Sequence, residues 1–206
     1  MLHRSNSLQA IIPLAACLVF SPVTKADIFI GVDFPATPDV DFPGFPSATV
    51  NVGSTVTADV RITGLGPRVV SAFEISLAFS PSILQVQSVS HGSALNLGDP
   101  ASSSWSVSTP PGAVDTQEIS FLATSILQQF QPNDLVLFSV TFLALANGTA
   151  PISFSNIEVI NGAGAPFTPA ASFDGSITAV PEPASLAVAS AVAVLGFASW
   201  QRLRKH

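Results

Sequence analysis

The chain has 206 residues, 48% of them hydrophobic and only 10% charged, with 17 prolines, 13 glycines, one cysteine and a net charge of −6. That whole-chain charge hides an asymmetry: residues 27–180 hold nine Asp, three Glu, two Arg and no Lys, a net of −10. A stretch this acidic lacks the Lys and Arg that phosphates require, so nucleic acid is excluded as a partner, and anionic membrane surfaces repel it.

His3 and Arg4 open the chain ahead of an apolar run of 13 residues, 8–20, too short for a comfortable membrane span but suited to the apolar core of a secretory signal. Thr24-Lys25-Ala26 places small residues at −3 and −1, so signal peptidase is expected to cut after Ala26 and residues 1–26 to form a signal helix that is removed. Leu14-Ala15-Ala16-Cys17 also fits a lipoprotein box, but Cys17 lies inside the apolar run and is followed by Leu18-Val19-Phe20. Cys17 is the only cysteine, so the exported part holds no internal disulfide and depends on its core. About 154 residues remain between the two processed ends, enough to bury about 70% of the unfolded surface.

Residues 27–46 read as a Pro- and Asp-rich lead-in, with Ile28-Phe29-Ile30 as an edge strand. Residues 54–63 alternate strictly, Val56, Ala58, Val60 and Ile62 on one face and Thr57, Asp59, Arg61 and Thr63 on the other, the period of a half-buried strand. Gly64-Leu65-Gly66-Pro67 is a turn. Residues 71–79 repeat the alternation with Phe73, Ile75, Leu77 and Phe79 inward, and residues 84–90 form another strand before Gly92. Residues 98–112 read as loop with a short strand at 105–108, residues 118–124 as a strand, and 125–134 as a Gln-rich connection holding one helical turn. Residues 135–145 are the longest strand, Asn147-Gly148 signals a hairpin, and 151–160 is its return, with a bulge near Asn156 that keeps Ile152, Phe154, Ile157 and Val159 on one face. Residues 161–171 are a Gly/Pro loop and 172–179 the closing strand. Eight or nine short strands with no amphipathic helix predict an all-β sandwich over residues 47–179.

The C-terminus has a different grammar. Val180-Pro181-Glu182-Pro183 is an extended handle fixed by two prolines. Residues 184–200 are 17 uncharged, Ala-, Val- and Leu-rich positions that as a helix span about 26 Å. Arg202, Arg204 and Lys205, in the tail 201–206, then form a basic stop on the cytoplasmic side. Handle, short span and basic tail in that order resemble a PEP-CTERM sorting signal over 180–206, the tag of exosortase-type membrane proteases. The resemblance implies export across the inner membrane, transient anchoring by this helix, and release to the cell surface or to an exopolysaccharide (biofilm) matrix.

Within the sandwich, Asn51-Val52-Gly53 followed by the alternating strand, Phe79-Ser80-Pro81 leading to Leu84-Gln85-Val86 and Gly92, then Asn147-Gly148 and a final Phe173-Asp174-Gly175-Ser176-Ile177, resemble the cohesin-like domains. Ser80 stands where that family usually has Asp. The resemblance implies a jelly-roll sandwich, a fold shared with some carbohydrate-binding modules, and fold alone does not give function.

No enzyme is expected. His91 is the one imidazole between residues 27 and 180, no serine sits in a Gly-x-Ser-x-Gly context, and His91 before Gly92 reads as a solvent-facing turn residue. Asp33, Asp39 and Asp41 cluster without the glycine and terminal Glu of a calcium loop, so no metal or cofactor is expected. Trp105 is the single residue that offers an indole for stacking on a sugar, against the plainer reading of an anchor over the core. The expectation is a non-catalytic structural or adhesive matrix component, with a carbohydrate-binding module and a cohesin-type protein-binding module as alternatives.

Overall fold

In a computed structural model, residues 27–36 and 45–182 are described. Eleven strands follow in chain order: β1 (Phe29–Asp33), β2 (Ser47–Asn51), β3 (Thr55–Thr63), β4 (Val70–Ala78), β5 (Leu84–His91), β6 (Ser103–Ser108), β7 (Ala113–Ser120), β8 (Leu135–Ala144), β9 (Gly148–Asn161), β10 (Ala171–Phe173) and β11 (Gly175–Val180). One short helix, α1 (Thr124–Phe130), joins β7 to β8. The strands form two sheets, of order β10-β1-β3-β8-β5 and β2-β11-β9-β4-β7-β6. All-β and sandwich hold; eleven strands lie among the described residues, where eight or nine were expected. The signal helix, the apolar segment 184–200 and the basic tail lie outside the described residues, among which no helix is long and apolar enough to cross a membrane.

The core forms because the period-two alternation of facing strands points the same way. Ala58, Val60 and Ile62 of β3 and Phe138, Val140 and Phe142 of β8 meet Phe73, Ile75 and Leu77 of β4 and Val159 of β9, all essentially sealed from solvent. Among the described residues every strand and every core residue lies between positions 28 and 180, so residues 27–182 hold both sheets and the core between them. The bulge in β9 falls where the pattern slips: Ser76 faces Asn156 and Leu77 faces Phe154, so Ser155 is the extra residue.

Four expectations are corrected. The run at Ile28 is not an edge strand. β1 lies between β10 and β3, and Ile28, Ile30, Val32 and Phe34 are buried. Asn147-Gly148 does not turn a hairpin, because β8 and β9 belong to different sheets. A type I′ turn needs positive φ at both central residues, whereas among the described residues Leu97 is the only non-glycine with positive φ. The closing strand is two strands: the chain changes sheet at Asp174, whose carboxylate accepts a hydrogen bond from the Phe154 amide at 3.1 Å. Finally, the strand expected at 118–124 is β7, which begins at Ala113, and the following residues form α1. The inward positions of β7 are Val114, Thr116, Glu118 and Ser120, and three polar residues out of four conceal an inner face from any hydrophobic pattern.

Candidate binding faces and a buried polar cluster

The five-stranded sheet turns its outer face to solvent. Its middle is a lattice of short side chains, with Thr57 and Thr141 directly opposite one another and their hydroxyls 3.1 Å apart. Arg61 donates to Asp33 at 2.8 Å and to Asp134 at 2.9 Å, and Asp59 stands on the same face opposite Asp33 and Ser139, so the face keeps a net negative charge. Burial opposes the Arg61 charge, but the hydrogen bonds and charges of the two carboxylates more than offset it and raise its proton affinity.

The outer face of the six-stranded sheet differs. Glu74 and Glu158 sit directly opposite one another, like charges in a cross-strand pair, and the β9 bulge interrupts its surface. Neither face carries a row of exposed aromatic rings among the described residues. The exposed phenylalanines are Phe45, Phe121 and Phe130, and the Phe45 ring packs edge-on against Phe173. Sequence reasoning missed the other two, since Phe121 lies beyond the end of β7 and Phe130 at the end of α1, the helical turn expected in 125–134, where it lies one turn from the exposed Ile126.

Trp105 lies on β6, half-buried, with its ring 5.5 Å from His91, 6.2 Å from Phe73 and 6.3 Å from Phe138. His91 is corrected from a solvent-facing turn residue. Its side chain is one-third exposed and closes one end of the sandwich, with Nδ1 3.8 Å from the Glu118 carboxylate. Glu118 is fully buried. Its cross-strand neighbours are Phe73 on one side and Trp105 on the other, with His91 and Phe138 paired on the opposing sheet.

Neither Glu118 oxygen receives a well-formed hydrogen bond, although an isolated buried carboxylate is costly. Burial therefore raises its carboxyl above the ordinary carboxylate range, while the Ser103 side chain, outside good hydrogen-bond geometry, and the His91 imidazole pull the other way. The folded chain holds this proton more tightly than the unfolded one. This contribution to stability is complete below the unfolded carboxyl range and is lost as pH rises through the folded one.

Over this cluster runs the loop 92–99, pinned from several sides. Asn96 is buried and organises it: its Oδ1 accepts from the Gly98 amide at 2.9 Å and its Nδ2 lies 3.3 Å from His91 Nδ1. Gln131 receives the Val70 amide at 2.7 Å and donates to the carbonyls of Val70 and Ala94. Ser120 donates to the Leu95 carbonyl. Leu97 is held at φ 51°, a left-handed conformation that a bulky residue adopts only under outside constraint.

At the opposite terminus of the fold, Val180 ends β11 opposite Asn51, and its carbonyl accepts from Val52 N at 2.9 Å. Pro181 and Glu182 follow at once and are exposed. They line a shallow cleft with Val52, Ala146 and Asn147. Pro183, Arg202, Arg204, Lys205, Thr24 and Ala26 lie outside the described residues.

The cohesin domain model matches residues 45–179. The chain belongs to the cohesin family. Solved structures agree in fold. A non-cellulosomal cohesin from Archaeoglobus fulgidus is 16% identical, with TM-score 0.55 over 78% of this chain and 96% of its own. The cohesin in a type I cohesin–dockerin complex from Clostridium thermocellum is 12% identical, with TM-score 0.58 over 75% and 99%. A structure of the type II cohesin–X–dockerin complex from Acetivibrio cellulolyticus gives 13% identity and TM-score 0.59 over 75% and 100%. No curated protein matches the chain. The cohesin match spans β2 to β11, while β1 lies outside it and still completes the five-stranded sheet.

Proposed function

We propose that this cohesin is a non-catalytic protein-binding module that engages a dockerin-like partner through the outer face of its five-stranded sheet. Family membership over residues 45–179 carries the reading. The face itself supports it: interface cores are depleted of charge, and here Thr57 and Thr141 form an uncharged pair while Arg61 is held by Asp33 and Asp134, which leaves Asp59 as a carboxylate for a partner to meet. Like charges stand opposite one another on both sheets, Asp33 with Asp59 here and Glu74 with Glu158 on the other, but here Arg61 binds Asp33.

The test is capture of secreted proteins from the producing cells by residues 27–182, compared with a Thr57→Arg, Thr141→Arg double variant. A partner retained by the parent and weakened at least about tenfold by the variant, about 1.4 kcal/mol, supports the face. Equal capture by both moves the site elsewhere. Binding to the cells' own exopolysaccharide with no protein retained would instead favour the carbohydrate-binding alternative, with Trp105 as its first suspect.

We further propose that residues 180–206 address the module to an exosortase-type protease after signal peptidase has cut behind Ala26, placing it at the cell surface or in an exopolysaccharide matrix. The reading draws support from the handle's position: β11 ends at Val180 and the next two residues are exposed, so a protease reaches them without unfolding either sheet. With Pro181, Glu182 and Pro183 all changed to Ala, the exported protein should keep its C-terminal segment and remain in the membrane fraction. Loss of the C-terminal segment from the variant as from the parent, read from intact mass after allowing for the three substitutions, would sink the sorting reading and leave the binding module standing.

A further inference from the structure

The buried cluster at the His91 end of the sandwich contains an unresolved competition at a single atom. His91 Nδ1 has three polar neighbours. Asn96 Nδ2, at 3.3 Å, offers a proton, whereas the Gly92 carbonyl at 3.1 Å and Glu118 Oε1 at 3.8 Å require one. An imidazole nitrogen accepts when bare and donates when protonated, so it cannot satisfy both demands at once. We propose that His91 is a proton-operated latch for the loop 92–99: bare Nδ1 holds Asn96 and keeps the loop closed, and protonated Nδ1 turns to Gly92 O and Glu118 and lets Asn96 go.

The surroundings give each state a physical basis. Asn96 is the residue on which the loop is built, because its carbonyl and side chain receive the amides of Asp99 and Gly98. Loss of the His91 contact therefore loosens the turn that holds Leu97 in its left-handed conformation. Protonation is possible in this half-buried place because Glu118 is within reach and has no other well-formed partner. Burial makes its carboxyl bind a proton more tightly than an exposed one, and a charge on His91 opposes this.

Among the described residues no other charged group acts on Glu118. From β4 the facing residue is Phe73, from β6 Trp105 and Ser103, and from β8 Phe138. Glu74 and Asp115 lie at outward positions on their strands, and Asp99 caps the turn at Pro100–Ser102.

Residues 27–182 contain one His and one Trp, so His91 and Trp105 report without ambiguity. The experiment follows the His91 ring resonances, Trp105 fluorescence and amide exchange of residues 92–99, corrected for intrinsic rates, from about pH 8 to about pH 5, where histidine changes charge. Protonation of His91 is expected to accelerate exchange of the loop amides at least tenfold while the β3 and β8 amides keep their protection, with the Trp105 change sharing the same midpoint. His91→Asn, whose side-chain oxygen accepts from Asn96 at every pH, should keep the loop closed throughout. Glu118→Gln removes the neighbouring carboxyl and should move the midpoint of loop opening to lower pH. A His91 titration that leaves the loop exchange unchanged overturns the latch. So does loop opening that persists in His91→Asn, and so does a midpoint indifferent to Glu118→Gln. Should His91→Asn fail to fold, the parent and Glu118→Gln titrations decide alone.

Discussion

Gly92→Ala is expected to unfold the His91 end of the sandwich and to cost at least about 3 kcal/mol, near the upper range for single substitutions. The reason is a close approach of two backbones. Gly92 N donates to the Leu137 carbonyl at 2.8 Å, and a methyl group at position 92 would fall deep inside contact distance of the Val136 carbonyl oxygen, 2.9 Å from its carbon and 3.1 Å from the Leu137 oxygen. These obstacles are main chain of the longest strand of the five-stranded sheet, so they cannot rotate away as a side chain would. Relief requires the chain to leave β8 at Gly92, which pulls His91 from the ladder and Asn96 from its contacts. Urea denaturation of residues 27–182 measures it. A midpoint within error of the parent would mean that the loop leaves β8 without loss and that the packing at Gly92 is not needed.

Phe138→Ala is expected to destabilise by about 3–5 kcal/mol, the cost of deleting a fully buried aromatic ring and leaving a cavity. Phe138 has no exposed surface. Its ring stacks at 6.0 Å on Phe73 across the two sheets and lies 6.3 Å from Trp105, so one deletion removes contacts to β4 and β6 together. Against a typical domain stability of 5–15 kcal/mol the loss is a large share. Phe138→Leu, which keeps most of the apolar volume, should cost clearly less. Equal losses from the two substitutions would show that ring shape, rather than volume, sets the cost.

Much of this architecture is legible in the chain. The alternations at Val56–Ile62, Phe73–Phe79 and Phe138–Ala144 have one apolar face each, and such strands have a single register that hides it. The bulge near Asn156 is also readable, because only an extra residue keeps Ile152 and Val159 on the same side. What is not legible follows the polar inner face of β7. Thr116 is buried because its hydroxyl donates to the Ile75 carbonyl at 3.0 Å. Glu118 is buried because Phe73 and Trp105 flank it and His91 comes across from the other sheet. No local pattern announces those partners, which stand 13 to 45 positions away in the chain.

The rest of the fold divides in the same manner. By itself, the sequence determined that residues 27–180 are acidic, lack lysine and cysteine, and alternate as strands, because composition and period are local properties. Only the tertiary structure decided which strands became neighbours. It sent β8 and β9 to opposite sheets despite Asn147-Gly148 and split the last strand at Asp174. It also set the unshielded Glu118 beside His91, since pairing partners and buried polar contacts depend on residues far apart in sequence.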